Sequence, residues 1–312
     1  MFKRILVPLD GSHRSERALS LAARIARATH GSLLLLRVIE PESTQPTLPV
    51  SDLHDAYAYL HKQREQLPPE VDVQCIAVTG EVVPSILSQA KEHAVDLIVL
   101  CSRGQTGIKG LVLRSVTQVL AAQGTVPLLI LREESPVPQS PYPDPARPLH
   151  TIEALVALDG SAQAARAVIP AVYLVAALAA PVRGVVHLLE ILPKATVGES
   201  GEVVRDEAGR QKVEQARHYL QQKVSKLNHG LGAKLSVEVV GSLIEENDVR
   251  AGIVRAAEQG IYLLLGGSEF IVMVTHRRES VGAWVSESVT EYVMEKTSLP
   301  LLIVPEKHIP QV

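Results

Sequence analysis

This 312-residue chain is poor in cysteine, in aromatic residues and in net charge. Cys75 and Cys101 are its only cysteines, too few and too far apart for a disulfide framework or a zinc site. They read as two buried thiols of a cytosolic protein. Aromatic residues make up 3%, which excludes a base-stacking surface. Lys and Arg number 31 against 34 Asp and Glu, for a formal charge of −3. That balance leaves no basic excess to displace counterions from a nucleic acid. Long apolar runs are also missing. The stretch 171–186 is broken by Pro181 and Arg183 and falls short of the roughly 20 residues of a membrane span. The run 5–9 is too short for a signal peptide, and Asp10 ends it. The expectation is a cytoplasmic protein with neither a membrane nor a nucleic acid as partner.

What is present is one unit written twice. ILVPLDGS (5–12) returns as LVALDGS (155–161), and VPLLIL (126–131) returns as LPLLIV (299–304). The opening aspartates, Asp10 and Asp159, lie 149 residues apart, and the closing prolines, Pro127 and Pro300, lie 173 apart. The second copy therefore carries 24 extra residues (173 − 149). Repeats of this size are duplicated domains. Between them, 134–150 carries Pro136, Pro138, Pro141, Pro143, Pro145 and Pro148, an extended and semi-stiff linker. The domains read as 1–133 and 151–307.

In the first copy, apolar runs at 3–9, 32–39, 71–79, 95–101 and 126–131 alternate with helical patterns at 12–30, 52–66, 82–93 and 115–123. SLLLLRVI (32–39) is almost continuously apolar, as a strand covered on both faces should be. The alternation predicts an α/β fold with a doubly wound five-stranded parallel sheet, repeated in tandem. For the second copy the expected strands are 152–158, 182–189, 233–240, 261–266 and 299–304, with a long second helix at 207–228.

Ligands of such sheets bind beyond the carboxyl ends of the strands, where strand order reverses. Asp10 follows the first strand, Val38 ends the second, and the loop 101–114 follows the fourth. Ser115, Val116 and Thr117 then open a helix whose N–H groups can meet a phosphate. Each residue also has a plainer reading. Asp10 and Ser115 serve as helix caps, Gly104, Gly107 and Gly110 as turns, and Arg103 and Lys109 as solvated charges.

VPLDGS, LLLLRVIEP and LIVLCSRGQTGIKGLVLRSVTQVLAAQGTVPLLIL together resemble the universal stress protein family, and the likeness extends more loosely to the second copy. The resemblance implies a tandem member with two Rossmann-like domains of the adenine-nucleotide-binding type, and ATP or AMP, with or without magnesium, as ligand. The family's Gly-x2-Gly-x9-Gly-Ser/Thr loop falls on Cys101, Gly104, Arg114 and Ser115, so one glycine of three survives. By that resemblance Asp10 holds adenine or ribose beside Pro8 and Leu9. Val38 offers its backbone to adenine. Leu100, Cys101, Arg103 and Gly104 line the ribose and α-phosphate, and Ser115, Val116 and Thr117 meet the outer phosphates. Arg114 either fills the phosphate space or binds phosphate itself.

In the second copy Asp159, Gly160 and Ser161 are kept. Matching Gly267 to Cys101 puts Glu269 and Phe270 where Arg103 and Gly104 stand, and makes the loop seven residues longer before Ser288. On that matching, Glu269 and Glu287 repel phosphate, and 271–286 is an elaborated loop. No Gly-x4-Gly-Lys-Ser/Thr, no Gly-x-Ser-x-Gly and no Ser-Gly-Gly-x-Asp-Ser occurs, and His54, His61, His93 and His150 lack metal-ligand spacing. His13 beside Asp10 is a candidate general base that capping explains equally well. The expectation is a regulatory protein without dedicated catalysis, at most a slow ATP hydrolase. The alternatives are a nucleotide-free scaffold for a protein partner and a binder of another anionic metabolite such as a cyclic nucleotide. The family also implies that the two last strands pair within the chain as a pseudo-dimer, with a homodimer as a further state.

Overall fold

The structure, a computed structural model, describes residues 1–41, 50–102, 115–133, 151–194, 196–197, 203–204, 207–261, 267–275 and 288–306. Arg103, Gly104, Arg114, Glu287 and the proline-rich linker lie outside them. The chain forms two compact units, one built from Met1–Leu149 with Pro300–Val312, the other from most of 150–299.

The first unit runs β1 (Arg4–Pro8), α1 (His13–Thr29), β2 (Ser32–Ile39), α2 (Val50–Glu65), β3 (Asp72–Thr79), α3 (Val82–Glu92), β4 (Leu97–Ser102), α4 (Val116–Gln123) and β5 (Leu128–Arg132). These are the nine elements read from the sequence, with no end moved by more than two residues. Ile5, Leu6 and Val7 are fully buried, and so are Leu97 and Val99, because helices cover both faces of the sheet. Helix α1 starts where the Ser12 hydroxyl accepts the Ser15 N–H at 3.2 Å. It buries Ala18, Leu19, Ala22, Ala23, Ile25 and Ala26, the stripe expected from the sequence. Strand order is β3-β2-β1-β4-β5, all parallel. The reversal of winding therefore lies between β1 and β4.

The second unit contains β6 (Glu153–Leu158), a 3-10 turn (Ala164–Ala167), α5 (Val168–Ala179), β7 (Gly184–Pro193), a small ribbon of β8 (Thr196–Val197) and β9 (Val203–Val204), α6 (Glu207–Asn228), α7 (Leu231–Leu235), β10 (Val237–Glu246), α8 (Val249–Gln259), β11 (Phe270–Thr275) and α9 (Val289–Lys296). Its order is β10-β7-β6-β11, again parallel. Helix α5 buries nine of its twelve residues, which explains the apolar run after 168 as a core helix. Among the described residues no helix is long and apolar enough to cross a membrane. The chain's last strand, β12 (Leu301–Pro305), belongs to the first unit, where it pairs antiparallel with β5 through Leu301↔Ile130, Leu302↔Leu129 and Ile303↔Leu128.

Two strand assignments from the sequence are corrected. Residues 233–235 are helical, within α7, and the strand begins at Val237. The fourth strand of the second copy is β11, not 261–266; of that stretch 262–266 lie outside the described residues. Register shows why. Val185 pairs with Glu153 as Ser32 pairs with Arg4, Glu238 with Val185 as Asp72 with Ser32, and Phe270 with Ala154 as Leu97 with Ile5. The offset between copies thus grows from 149 to 153 (185 − 32), 166 (238 − 72) and 173 (270 − 97). Most of the added length serves α6, which has 22 residues against 16 in α2, and α7. The last seven residues precede β11, and none follows it.

Candidate functional site

At the carboxyl edge of the first unit, Gly11 turns with φ +82, a left-handed value that glycine adopts without strain. The turn holds Asp10 at the end of β1. Its Oδ1 accepts the Ser12 N–H at 2.9 Å and the Ser12 hydroxyl at 2.5 Å. The side chain stays 63% exposed, with Arg14 loosely paired to it at 4.0 Å. Partial burial pushes the Asp10 carboxyl up, but the hydrogen bonds from Ser12 and Ser15 and the charge of Arg14 outweigh it and hold the pKa below the usual aspartate value. Capping is thus one task of Asp10, and its exposed oxygen leaves room for another.

The remaining predicted residues distribute as follows. Pro8 and Val38 are half-buried, while Leu9 and Leu100 are buried as walls of the edge. Cys101 and Cys75 are half-buried free thiols rather than fully buried ones. Ser115 caps α4 in a full capping box: its hydroxyl accepts the Gln118 N–H at 3.3 Å and its own N–H donates to Gln118 Oε1 at 3.0 Å. Val116 is 41% exposed and Thr117 is buried. The helix-start N–H groups of Val116 and Thr117 have no partner within a helix and can face an anion there. A negative group there gains about 0.3–1 kcal/mol from the helix dipole.

The structure adds cations that the motif reading missed. Burial raises the Cys101 thiol pKa and the Glu133 carboxylate adds to the rise, against the opposing pull of Arg17, Arg14 and Arg132. Arg132 is buried at the end of β5 and donates from Nη1 to Ser102 Oγ at 2.9 Å. Arg37 of β2 donates to the Leu9 carbonyl at 3.2 Å and lies 5.9 Å from the Tyr59 ring centroid. Tyr59 and Gln63 in turn donate to Glu16 Oε1 at 3.0 and 2.9 Å. The signal available in the sequence was a single arginine within each of the apolar runs LLLLRVI and LLILR. Arg14, Arg17 and Arg132 thus gather at the edge where the sequence suggested an anion, with an acid among them, Glu133, 4.0 Å from Arg14. His13 pairs with Glu16 at 3.0 Å rather than with Asp10, so it is not placed as a base there.

The second unit keeps the turn, with Gly160 at φ +79 and Asp159 Oδ1 accepting the Ser161 N–H at 2.9 Å. It also keeps the capped helix, where Ser288 and Glu291 form a capping box. Val274, not Gly267, occupies the place of Cys101, fourteen residues before Ser288 as Cys101 is before Ser115. Thr275 and His276 therefore match Ser102 and Arg103 in sequence. Glu269 stands at the opposite end of the strand and accepts the Glu153 N–H at 2.6 Å, as Asp96 accepts the Lys3 and Arg4 N–H groups at 2.8 and 3.1 Å. The expected repulsion by Glu269 is thus withdrawn.

A chain matching this duplicated plan can be compared with known proteins. The model of the universal stress protein family matches residues 1–132 and again 153–305. The chain belongs to that family. The universal stress protein YxiE of Bacillus subtilis is 29% identical over 148 residues, 42% of this chain and the whole of that protein. A universal stress protein of Mycobacterium tuberculosis is 29% identical over 181 residues, 50% of this chain but only 54% of the relative. A universal stress protein of Archaeoglobus fulgidus shares the fold across 97% of this chain and 96% of its own, with a TM-score of 0.64 at 18% identity.

One polar chain in the second unit has no place in this plan. His187 Nε2 meets Ser242 Oγ at 2.9 Å, and its Nδ1 meets Glu153 Oε1 at 3.4 Å, which also accepts the Ser268 hydroxyl at 3.1 Å. The order Ser–His–Glu is that of a nucleophile relay. His187 is only 6% exposed, however, and the three residues lie side by side on β10, β7 and β6. The chain ties three strands together by satisfying a buried imidazole.

Proposed function

We propose that this universal stress protein is a cytoplasmic regulatory protein that binds an adenine nucleotide, ATP or AMP, at the carboxyl edge of the first unit. The observation that carries the reading is the pairing of an exposed Asp10 carboxylate with a cationic surround, Arg14, Arg17 and Arg132, at the switch between β1 and β4. Asp10 accepts hydrogen bonds from ribose hydroxyls or the adenine amino group. The arginines and the start of α4 neutralise phosphate charge. These residues fit a nucleotide without assistance from the loop glycines. Occupancy then alters a surface read by a protein partner; the chain itself performs no dedicated catalysis.

Mass spectrometry of denatured, freshly purified protein is expected to release adenine nucleotide, and calorimetry to show saturable ATP–Mg binding. Asp10→Asn should weaken that binding by about tenfold, the loss of one charge-assisted hydrogen bond. No nucleotide in the preparation and no binding at millimolar ATP–Mg would end the proposal.

A second reading, a nucleotide-free scaffold, has its own support: the Ser115 capping box satisfies the helix start internally. Arg114→Gly separates the two. Affinity created by the change favours the scaffold, and affinity lost by it makes Arg114 a phosphate ligand.

A further inference from the structure

The same corner of the two units carries opposite charge. Arg37 follows the β2 residue paired with Pro8; Glu190 holds the corresponding place on β7, opposite Leu158. A Cβ on Gly11 would lie 3.3 Å from Arg37 Nη1, and a Cβ on Gly160 would lie 3.3 Å from Glu190 Oε1. The two side chains thus reach the same point under the same turn. Around it the cations are replaced. Ser161 caps Ala164 as Ser12 caps Ser15, so Gln163 stands for Arg14 and Ala165 for Glu16; only Arg166 repeats Arg17.

Arg37 is satisfied by the Leu9 carbonyl and the face of Tyr59. Glu190 is not. It is 5% exposed, and its Oε2 is buried with no hydrogen-bond partner among the described residues. The Tyr219 hydroxyl of α6 is likewise buried and unpartnered among them. Burial and the neighbouring Asp159 push the Glu190 carboxyl above the usual glutamate range, and Glu190 and Asp159 in turn raise Tyr219. Asp159, Glu190 and Tyr219 therefore share one field. Lys223 sits over the Tyr219 ring at 5.4 Å from the centroid and forms no ion pair with Glu190 among the described residues. A buried carboxylate oxygen without a donor is costly, and folded proteins rarely leave one so. A phosphate brought here meets two carboxylates, whereas a donor-rich cation meets two acceptors of opposite charge.

We propose that this edge of the second unit binds a small organic cation, an ammonium or guanidinium group whose N–H donors are shared by the Asp159 and Glu190 carboxylates across the Gly160 turn. The two units are then a charge-inverted pair, one edge built for an anion and the other for a cation. The inference stands on the second unit alone and is independent of the nucleotide reading.

Agmatine, which carries both an ammonium and a guanidinium group, is the probe. Calorimetry on the full chain from neutral to alkaline pH is expected to show saturable one-to-one binding that strengthens as Glu190 ionises and persists at physiological salt. Glu190→Gln, nearly the same in shape, should weaken it by about tenfold or more, and Asp159→Asn likewise. Asp10→Asn should leave it unchanged, so failure of nucleotide binding in the first unit stays distinguishable. No saturable agmatine binding at millimolar concentration, or binding equally strong in Glu190→Gln and Asp159→Asn, overturns the proposal.

Discussion

Arg132 and Ser102 face each other across the ends of β5 and β4, the guanidinium donating to the hydroxyl at 2.9 Å. The pair sets a buried positive charge one residue beyond Cys101, at the edge proposed to take the phosphates. Arg132→Met should lower ATP affinity by about tenfold while leaving the unfolding midpoint within about 1 kcal/mol, since an apolar side chain of similar size often replaces a buried charge without loss. Calorimetry and urea denaturation on the same preparation check both halves. Unchanged affinity would place the phosphates elsewhere.

Asp10 and Glu190 predict opposite limbs of the pH–stability curve. Asp10 titrates below its unfolded value, so its contribution is complete above the unfolded pKa, about 3.9, and fades as pH falls through the lower folded value. Asp10→Asn should flatten that acid limb. Glu190 titrates above its unfolded value, so the folded state holds the extra proton and stability falls as pH rises from about 4.3 through the raised folded value. Glu190→Gln removes that fall. Without ligand it should be more stable than the parent at neutral pH by about 1–2 kcal/mol, the difference closing towards pH 4. Thermal unfolding across that range decides it, and a destabilised Glu190→Gln at neutral pH would show the carboxylate to be satisfied.

The first unit was legible because its strands are largely apolar runs and two of its helices, α1 and α4, start on serine caps. The fourth strand of the second copy was misread for a physical reason. YLLLGGS imitates a buried strand followed by a phosphate loop, whereas FIVMVT runs into His276, Arg277 and Arg278 without a glycine. The spacing back from Ser288, the same as from Ser115, held the correct answer. The edge charges were less legible. That Arg37 is satisfied depends on Leu9 and Tyr59, and that Glu190 is not depends on the absence of a donor, both matters of tertiary placement.

The His187 chain predicts a stability cost without any loss of ligand binding. His187→Ala takes one partner from the Glu153 carboxylate, which keeps the Ser268 hydroxyl, and one from Ser242, and it opens a cavity, at a cost of about 2–4 kcal/mol. Ser242→Ala removes one neutral partner and should cost about 1 kcal/mol. Urea denaturation measures both. Reaction of Ser242 with a fluorophosphonate probe would instead show an activated nucleophile.

The pairing of β12 with β5 predicts what happens when the last strand is lost. Leu301, Leu302 and Ile303 are buried against Leu128, Leu129 and Ile130, which are themselves buried. Without residues 299–312, β5 keeps β4 on one side but bares a row of N–H and C=O groups on the other, beside an apolar face. Such an edge recruits another strand. The shortened chain should self-associate through β5, seen as a dimer or larger species by light scattering after gel filtration. Leu302→Asp, which keeps the backbone but buries a charge, should cost more than about 3 kcal/mol and promote the same association. A shortened chain that stays monomeric with parental stability would mean that β12 contributes nothing to the first unit's sheet.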